Sequence, residues 1–487
     1  MLSQWMNVLV VAGLLGSVAQ AEPYLFKTKE PQKLMIINTG SLSLQKRLEM
    51  ISSAKKSIEV EFFIYNIDEA GRIFTQALVK KAHEGVKVRV LIDYGWPIAK
   101  LDTFYATLLV QNGIEVRYYN PNLSFELMKG QFRSHRKALV VDDIEGITGG
   151  RNIADEYFDL AEDYNFIDRD VHVRGSVAKA MRYSFDSFWS SNMTKVPEME
   201  TQPIASQYGL TGVTGMDDQE GKRRFDDLSR RYEAGMKKAN DYLMQNEKDR
   251  AVLESLRAMG ALNATGFRPH TCTDTVFAAD MPGIGKERRV LFDEIQEQMK
   301  DVRKTVSIES PYFVTTTNGM DIIRSYLKKG IDIRVYTNSL NSTDAIYTTA
   351  TFYPRVGSLI QDGLKVFIYQ GMSLPGQDYL SDTMKNARWG IHAKSAVLDE
   401  KTVMVGTFNV DPRSRNINAE MAVICRDNPT LAAEVLSNMK EHEQLSIQLD
   451  SNGKPVDGTS EFANTSVAKR ILYYLSAPLS NVFDFLL

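Results

Sequence analysis

Hydrophobic and polar residues alternate with two different periods along this chain of 487 residues. Residues 44–51 have the apolar spacing of a helix, and residues 57–64 form an apolar run typical of a strand. A second helix is predicted over 71–83 and ends near Gly85, since glycine commonly caps a helix at that position. Residues 86–92 alternate as a second strand. Helices between successive strands predict parallel crossovers and an α/β layered sheet.

The same order of elements returns in the second half of the chain. Helices are predicted over 290–300 and 320–329, with strands between and after them. Residues 85–90 (GVKVRV) match residues 330–335 (GIDIRV), and residues 57–59 match residues 307–309, both being Ser-Ile-Glu. An internal duplication explains these matches. We therefore expect two similar lobes that pack about a pseudo-two-fold axis.

The pattern also predicts how the chain divides. We expect a first lobe over residues 30–200 and a second over 266–450. A charged insert, 201–265, favours helices whose sign-alternating charges are typical of a solvated face, and we expect no catalytic role for it. Residues 466–487 predict an amphipathic C-terminal helix, which lies either at a membrane interface or against the core.

The N-terminus and the cysteines bear on the cell compartment. Residues 1–21 resemble a secretory signal peptide, with an apolar run over 8–15 and small residues before Glu22, although Lys and Arg are missing from its start. An uncleaved N-terminal anchor is the alternative. Either way we expect an exported protein, periplasmic or associated with the cell envelope, or secreted. Cys272 and Cys425 are the two cysteines, and they form either one bridge or two buried thiols.

Two stretches of the chain share the pattern H-x-K-x4-D-x6-G-[G/T]-x-N. A histidine and a lysine two residues apart on a strand point to the same face. A lone histidine on a strand is more often structural, but the repetition in corresponding positions of the two halves indicates function. The motif residues are His135, Lys137, Asp142 and Asn152 in the first copy, and His392, Lys394, Asp399 and Asn409 in the second.

These residue types suit the cleavage of a phosphodiester. One neutral imidazole attacks phosphorus and forms a phosphohistidine, while the other, as imidazolium, protonates the leaving alcohol and then activates the acceptor. The lysines neutralise the non-bridging oxygens and the asparagines donate hydrogen bonds to them. The H-x-K pair is a poor metal site because lysine is cationic. We therefore expect neither a metal nor a cofactor.

Carboxylates are expected beside the imidazoles, because a buried acid fixes the tautomer of a catalytic histidine. Asp170 and Glu420, downstream of the two motifs, are predicted to have this orienting role. Asp142 and Asp399 lie at strand ends, and we expect them to support the motifs structurally.

At this point a family resemblance is plain. The duplicated motif, with GGRNI at 149–153 and GTFN at 406–409, resembles the phospholipase D superfamily, and residues 149–157 and 310–314 resemble its bacterial cardiolipin synthase branch, the C-type in particular. The resemblance implies two α/β/α lobes with one active site at their interface, and a phosphohistidine intermediate. It also implies His135 as the nucleophile and His392 as the acid and base. Thr315 and Thr316 depart from that branch, which often has Pro-Gly there.

The expected function is phosphatidyl transfer between glycerophospholipids, as in a cardiolipin synthase, with some hydrolysis to phosphatidic acid. The expected partners are a phospholipid substrate and a membrane surface, and one chain carries a complete catalytic unit. The alternatives are a secreted phospholipase D hydrolase and a nuclease with the same motif. A net charge of −3 disfavours a nucleic-acid partner, which needs many basic contacts to phosphate. Intact motifs disfavour a non-enzymatic lipid-binding scaffold.

Overall fold

The structure, a computed structural model, describes residues 24–95, 100–121, 129–210, 219–244, 247–262, 268–285, 288–375, 380–460 and 462–483. The predicted signal peptide, residues 1–21, lies outside these described residues. Among the helices that are described, none has the length and apolar character needed to span a bilayer.

The elements follow one another as the periodicity predicts. The strands of the first half are β1 (Leu25–Thr28), β2 (Gln32–Ile37), β3 (Ser57–Phe62), β4 (Lys87–Asp93), β5 (Ile114–Tyr119), β6 (Ala138–Val141), β7 (Glu145–Gly149), β8 (Tyr164–Ile167), β9 (Asp170–Arg174) and β10 (Thr194–Lys195). Those of the second half are β11 (His270–Cys272), β12 (Thr275–Ala279), β13 (Thr305–Glu309), β14 (Asp332–Asn338), β15 (Lys365–Tyr369), β16 (Arg388–Ile391), β17 (Ser395–Leu398), β18 (Thr402–Gly406), β19 (Met421–Cys425) and β20 (Ser446–Gln448). The helices are α1 (Gly40–Ser53), α2 (Glu69–His83), α3 (Thr103–Gln111), α4 (Ser176–Trp189), α5 (Gln219–Leu243), α6 (Glu247–Leu262), α7 (Val290–Lys300), α8 (Thr317–Leu327), α9 (Ile346–Gln361), α10 (Asp382–Asn386), α11 (Pro412–Asn416), α12 (Pro429–Gln444) and α13 (Val467–Phe483).

Equivalent helices of the two halves begin and end in the same way. The Asp68 side chain accepts a hydrogen bond from the Gly71 N–H at the start of α2, and the Thr316 side chain caps α8 likewise. Gly85 follows α2 with φ +86°, and Gly330 follows α8 with φ +81°. Glycine adopts this left-handed conformation without the strain that a side chain would add.

Two nine-stranded sheets have the same strand order. The first runs β10-β5-β4-β3-β6-β7-β9-β2-β11, and the second runs β20-β15-β14-β13-β17-β18-β19-β12-β1. In each sheet three parallel strands, β3-β4-β5 or β13-β14-β15, continue into antiparallel strands. Every strand of one sheet thus has a counterpart at the same place in the other. The predicted fold of two duplicated α/β lobes is confirmed.

The edge strands are exchanged between the lobes. β1 pairs with β12 of the second sheet, although β2, which follows it directly, lies in the first. Conversely, β11 pairs with β2 of the first sheet. A disulfide then joins Cys272 on β11 to Cys425 on β19, so it ties one sheet to the other. The predicted boundary at residue 266 therefore does not separate the lobes, because each sheet ends in a strand from beyond it.

Hydrophobic cores lie on both faces of each sheet. Helices α1 to α3 cover the outer face of the first sheet, and α7 to α9 that of the second. The inner faces meet each other, with α4 and α12 beside them, through side chains such as Val173, Met181, Val423 and Met439. Burial of this apolar area holds the lobes in one arrangement, since each apolar Å² removed from water contributes about 25 cal/mol.

The strand register corrects one sequence match. Glu61 lies opposite Ala138, and Glu309 lies opposite Ser395. Ala138 and Ser395 each follow a motif histidine by three residues, so Glu309 is equivalent to Glu61. The match of residues 57–59 with 307–309 is therefore out of register by two. A slip of two residues keeps every side chain on its own face, so the alternating pattern does not reveal it.

The predicted helical insert folds onto the first lobe. Arg72 on α2 forms an ion pair with Asp249 on α6, with 2.6 Å between Nη2 and Oδ1. Ala239 of α5 and Leu256 of α6 are buried in the core of that lobe. The charged side chains of α5 otherwise point into solvent, as their alternation predicts.

Candidate active site

Asp142 and Asp399 fasten the two motif hairpins. The Asp142 carboxylate accepts hydrogen bonds from the backbone N–H groups of residues 55–57, at 2.7 to 2.9 Å. The Asp399 carboxylate accepts the same three bonds from residues 303–305, at 2.7 to 2.9 Å. Both aspartates lie in tight turns with positive φ, 55° and 49°. Each therefore connects a motif hairpin to the start of the neighbouring parallel strand, far from any reacting group.

His135 is buried at the lobe interface, where its Nδ1 atom has two acceptors. Nδ1 lies 3.1 Å from the Thr407 carbonyl oxygen and 3.0 Å from Glu420 Oε2. Because a carbonyl can only accept, Nδ1 carries the proton, which leaves the lone pair on Nε2. Burial, together with the charges of Lys137 and Lys394, lowers the pKa of His135 well below its usual value. The ring is therefore neutral.

His392 has a closely similar environment with a stronger acid. Its Nδ1 atom lies 2.6 Å from Asp168 Oδ2, and its ring contacts those of Tyr157 and Phe166. Burial and the Lys394 charge lower the pKa of His392 to about 4, against the opposing effect of Asp168. Burial would raise the pKa of Asp168, but its interaction with His392, including the hydrogen bond, and the charge of Lys394 outweigh it and hold that pKa far below the usual range. Asp168 is therefore ionised.

The two orienting carboxylates are exchanged between the lobes. Asp168, just before β9 of the first lobe, bonds the histidine of the second motif. Glu420, just before β19 of the second lobe, bonds the histidine of the first. Neither lobe alone holds an oriented imidazole. The two histidines thus belong to one site that forms only when the lobes pack together.

Asp170, predicted to orient an imidazole, does something else. Its Oδ2 atom accepts hydrogen bonds from Arg47, Arg151 and Ser43 at 2.9, 3.1 and 2.5 Å. The acid that reaches His392 is Asp168, two residues earlier. Asp168 and Asp170 are two residues apart, so their side chains point to the same face of an extended chain. Only the strand register distinguishes them.

That register makes Asp168 and Glu420 equivalent. Gly149 lies opposite Asp170, and Gly406 lies opposite Ala422. The two glycines occupy the same position in the two motifs, so the residues two before Asp170 and Ala422 correspond. The register, which the sequence alone does not provide, thus identifies Asp168 as the counterpart of Glu420.

The lysines are buried and their charges repel each other. The Lys137 Nζ atom donates to the His135 carbonyl oxygen at 2.7 Å, and Lys394 donates to the His392 carbonyl oxygen at 2.5 Å. Burial, with a smaller contribution from Lys394, lowers the pKa of Lys137 to about 7. Burial also lowers the pKa of Lys394 to about 8. An anion placed between the two ammonium groups would stabilise their charged forms.

The motif asparagines are buried as the lysines are. Asn152 accepts a hydrogen bond from the Ile64 N–H at 3.1 Å, and its side chain also hydrogen-bonds Tyr157. The Asn409 side chain is buried, and its Oδ1 atom has no hydrogen-bond partner within the described part of the chain. Such a buried orphan group is uncommon in folded proteins and suits a ligand site.

Glu420 differs from its counterpart, Asp168, in the groups that donate hydrogen bonds to it. Thr407 Oγ1 donates to Oε2 at 2.5 Å, and Ser414 Oγ donates to Oε1 at 2.8 Å. Burial nonetheless raises the pKa of Glu420 to about 7. The two imidazoles therefore face different acids, an ionised Asp168 and a Glu420 poised near neutrality. Ser414 carries no signal of this role in the sequence.

No group of three or more His, Cys, Asp or Glu side chains is arranged to hold a metal ion in the described ranges. The site instead combines two imidazoles, two ammonium groups and two amides, all of them buried. Nucleophile, acid and charge neutralisation are the functions that phosphodiester chemistry needs from a protein.

Comparisons with known proteins bear on the family and the fold of the chain. Residues 48–189 and 295–442, one segment in each lobe, match the family described as cardiolipin synthase, PLD-like domain. The chain is 27% identical to cardiolipin synthase C of Escherichia coli over 427 residues, which covers 83% of this chain and 82% of that protein. It is 28% identical to an uncharacterized protein of Helicobacter pylori over 445 residues, covering 85% of this chain and 80% of the relative.

A solved structure shares the fold. The crystal structure of phosphatidylserine synthase from Haemophilus influenzae superposes with a TM-score of 0.63 and 15% sequence identity. The match covers 93% of this chain and 95% of that one. Nearly the whole two-lobe architecture is therefore common to both proteins.

Proposed function

The chain belongs to the cardiolipin synthase, PLD-like domain family of phosphatidyltransferases, and we propose that it transfers a phosphatidyl group between glycerophospholipids through a phosphohistidine. The observation that carries this proposal is the exchange of carboxylates between the lobes. It brings two differently supported imidazoles into one site beside two buried ammonium groups.

His135 is the nucleophile in this proposal. Its Nδ1 proton is held by Thr407 and Glu420, so Nε2 presents a lone pair to phosphorus. The Nε2–P bond forms while the bond from phosphorus to the leaving alcohol oxygen breaks. His392 gives its proton to that oxygen, and the ionised Asp168 stabilises the imidazolium before the transfer.

The second step reverses the proton transfer. The acceptor hydroxyl of another phospholipid gives its proton to His392, its oxygen bonds to phosphorus, and the Nε2–P bond breaks. Lys137 and Lys394 neutralise the non-bridging oxygens in both steps. When water takes the acceptor position, the same step yields phosphatidic acid, which makes hydrolysis the accompanying reaction.

Substrate binding lets His392 take up from solvent the proton that it needs. With a pKa of about 4, the free enzyme holds this ring neutral at pH 7. An anionic phosphodiester between the lysines offsets the Lys394 charge, which is one of the two causes of that low pKa. The pKa of His392 therefore rises on binding, and the acid forms only with substrate in place.

A labelling experiment tests the assignment of the histidines. In His392→Ala, phospholipid labelled in its phosphate should leave label on His135, because attack continues slowly without the acid while the intermediate has no base to resolve it. The bond should be acid-labile and alkali-stable, as expected of a phosphohistidine. Label trapped in His135→Ala instead would reverse the two roles.

We also propose that α13 rests on the membrane surface. One face of this helix packs on α9 through the buried Tyr473, and Lys469 Nζ donates to the carbonyl oxygens of residues 340, 341 and 343. The opposite face exposes 53% to 71% of each of five apolar side chains, Val467, Ile471, Leu472, Tyr474 and Leu475. An exposed apolar stripe of this kind suits the interface of a bilayer, and it would hold the lipid supply near the site.

Vesicle binding tests this surface. Leu475→Glu should weaken binding to phosphatidylglycerol vesicles about tenfold, since burying a leucine contributes about 1.5–3 kcal/mol. The matched control is Ile144→Glu, at an apolar side chain that is 48% exposed in a first-lobe turn. Equal losses from both variants, or none from Leu475→Glu, would argue against α13 as the contact.

We propose further that the protein is exported and works in an oxidising part of the cell envelope or outside it. The Cys272–Cys425 bridge supports this location, because disulfides persist in oxidising compartments and are rare in the cytosol. Alkylation of whole cells with a thiol reagent before lysis should leave both cysteines unmodified until a reductant is added. Full modification without reductant would contradict an oxidising location.

A further inference from the structure

A groove lined by apolar side chains runs beneath α7 in the second lobe. Its volume is about 90 Å³. Its walls include the partly exposed Ile295, Met299, Met404 and Phe408, contributed by α7 and by the outer side of the sheet. Lys394 is part of the same lining, so the groove adjoins the active site.

The duplication shows which residues fill the equivalent place in the first lobe. Ile295 stands eleven residues before Val306, and Val306 pairs with Leu398 of the second motif. Arg47 stands eleven residues before Ile58, which pairs with Val141 at the same motif position. Arg47 is thus the counterpart of Ile295.

Two further positions correspond in the same way. Phe408 and Arg151 each follow their motif histidine by sixteen residues. Ala422 and Asp170 lie opposite equivalent glycines of the two sheets. The second lobe thus has isoleucine, phenylalanine and alanine where the first has arginine, arginine and aspartate.

In the first lobe a buried ionic cluster occupies the corresponding positions. Arg47 and Arg151 both form ion pairs with Asp170, at 2.9 and 3.1 Å, and all three side chains are at most 1% exposed. In the second lobe the shorter apolar side chains cannot reach one another across the same space. The groove therefore arises from a specific difference between two otherwise duplicated lobes.

We propose that this groove holds the first carbons of one acyl chain of the phospholipid whose phosphate occupies the active site. The inference rests on the proposed function and extends it, because it assigns the binding of an acyl chain to the second lobe alone. The lining is mostly apolar, and its polar members are Gln298, Glu309, Lys394 and Ser395. The Glu309 carboxylate is paired with Arg169 and His442. Lys394 belongs to the site that would hold the phosphate, and the apolar walls beside it match the start of an acyl chain.

The volume limits how much of the chain fits. An apolar cavity of roughly 150 Å³ holds one benzene molecule, so the groove takes about three or four carbons. Each buried CH₂ group contributes about 0.8 kcal/mol, which is about fourfold in affinity. Three added carbons should therefore raise kcat/KM about 60-fold, and longer chains should add little.

Chain-length dependence tests the proposal. We would measure kcat/KM for lysophosphatidylglycerols with a single acyl chain of two to five carbons, all below their critical micelle concentrations. Ile295→Trp, which fills the groove from α7, should reduce the ratio between five and two carbons to near one. Gln296→Trp, at the adjacent exposed position of the same helix, should keep the wild-type ratio.

A second variant keeps the proposal testable if Ile295→Trp does not fold. Met404→Trp fills the groove from the sheet side, so it should flatten the dependence even if Ile295→Trp fails to fold, as thermal unfolding would reveal. An unchanged ratio in a folded filled variant, or no dependence in the wild type, would overturn the proposal.

If the wild type turns over no phospholipid, the proposed function fails. Binding of monomeric dodecylphosphocholine then tests separately whether the groove holds an alkyl chain. Binding that Ile295→Trp weakens and Gln296→Trp does not would support an alkyl-chain site. Equal binding by both variants, or none by the wild type, would overturn it.

Discussion

The exchange of carboxylates between the lobes predicts opposite outcomes for two aspartates that are two residues apart. Asp168→Asn keeps the shape of the side chain but removes the charge that stabilises the His392 imidazolium. Asp168 Oδ2 lies 2.6 Å from His392 Nδ1, and both groups are buried. Asp170→Asn makes the same change where the carboxylate bonds Arg47 and Arg151 instead.

The magnitudes follow from these contacts. A hydrogen bond to a charged group contributes about 1.5–3 kcal/mol, and loss of the carboxylate of a catalytic triad costs about 10⁴ in kcat. We therefore expect Asp168→Asn to lower kcat by about 10² to 10⁴ with little change in KM, because Asp168 does not touch the substrate. Asp170→Asn leaves buried guanidinium groups without compensation, which costs about 3–5 kcal/mol of stability.

The assay is the release of glycerol from phosphatidylglycerol in mixed micelles, at a temperature where both variants are folded. Thermal unfolding by circular dichroism gives the stability of each variant. Asp168→Asn should be inactive and stable, and Asp170→Asn should be active within about threefold but unfold at a lower temperature, since distant structural changes spare the chemistry. An Asp170→Asn variant as inactive as Asp168→Asn, with an unchanged Tm, would refute the assignment.

Two further predictions concern stability and anion binding. Reduction of the Cys272–Cys425 bridge, which closes a loop of 153 residues, should lower the free energy of unfolding by about 5 kcal/mol on the chain-entropy model; a Tm that does not change on reduction would contradict this. Sulfate, whose charge is constant over the range, should inhibit most strongly below pH 7, because it raises the pKa values of Lys137 and Lys394 from about 7 and about 8 and so binds together with the protons. Its inhibition constant should rise as the pH increases through those values and beyond them, and a constant independent of pH between 6 and 9 would argue against anion binding between the lysines.

The residue types of the candidate site were predictable from the sequence because the motif occurs twice with identical spacing. The carboxylates were only partly predictable. Glu420 follows directly from its place before an apolar strand, whereas Asp168 and Asp170 share the same alternation and compete for the role. Which of them meets His392 depends on how the two sheets pack, a long-range property that local spacing does not encode.

The exchange of the edge strands could not be predicted from the sequence, for a related reason. β1 and β11 are short, and an edge strand can hydrogen-bond to whichever sheet presents a free edge. The packing of the lobes determines which of the two sheets each edge strand joins. The disulfide also depended on distance in space, since Cys272 and Cys425 are 153 residues apart and only the folded chain brings their Cα atoms to 6.0 Å.

Of the two alternatives that the sequence left open for the C-terminal helix, the structure shows docking on the core through one face, and the membrane interface stays a proposal. The apolar residues of the helix are too many for one contact face, so Tyr473 docks on the core while Ile471 and Leu475 remain exposed. A periodicity can identify an amphipathic helix, but it does not state how much of the apolar face the protein itself covers.

The products formed from labelled phosphatidylglycerol test the central claim most directly. Purified protein should convert it to cardiolipin and glycerol, with phosphatidic acid as the accompanying product, and both His135→Ala and His392→Ala should abolish this turnover. No lipid product from the wild type, together with cleavage of single-stranded DNA, would contradict phosphatidyl transfer.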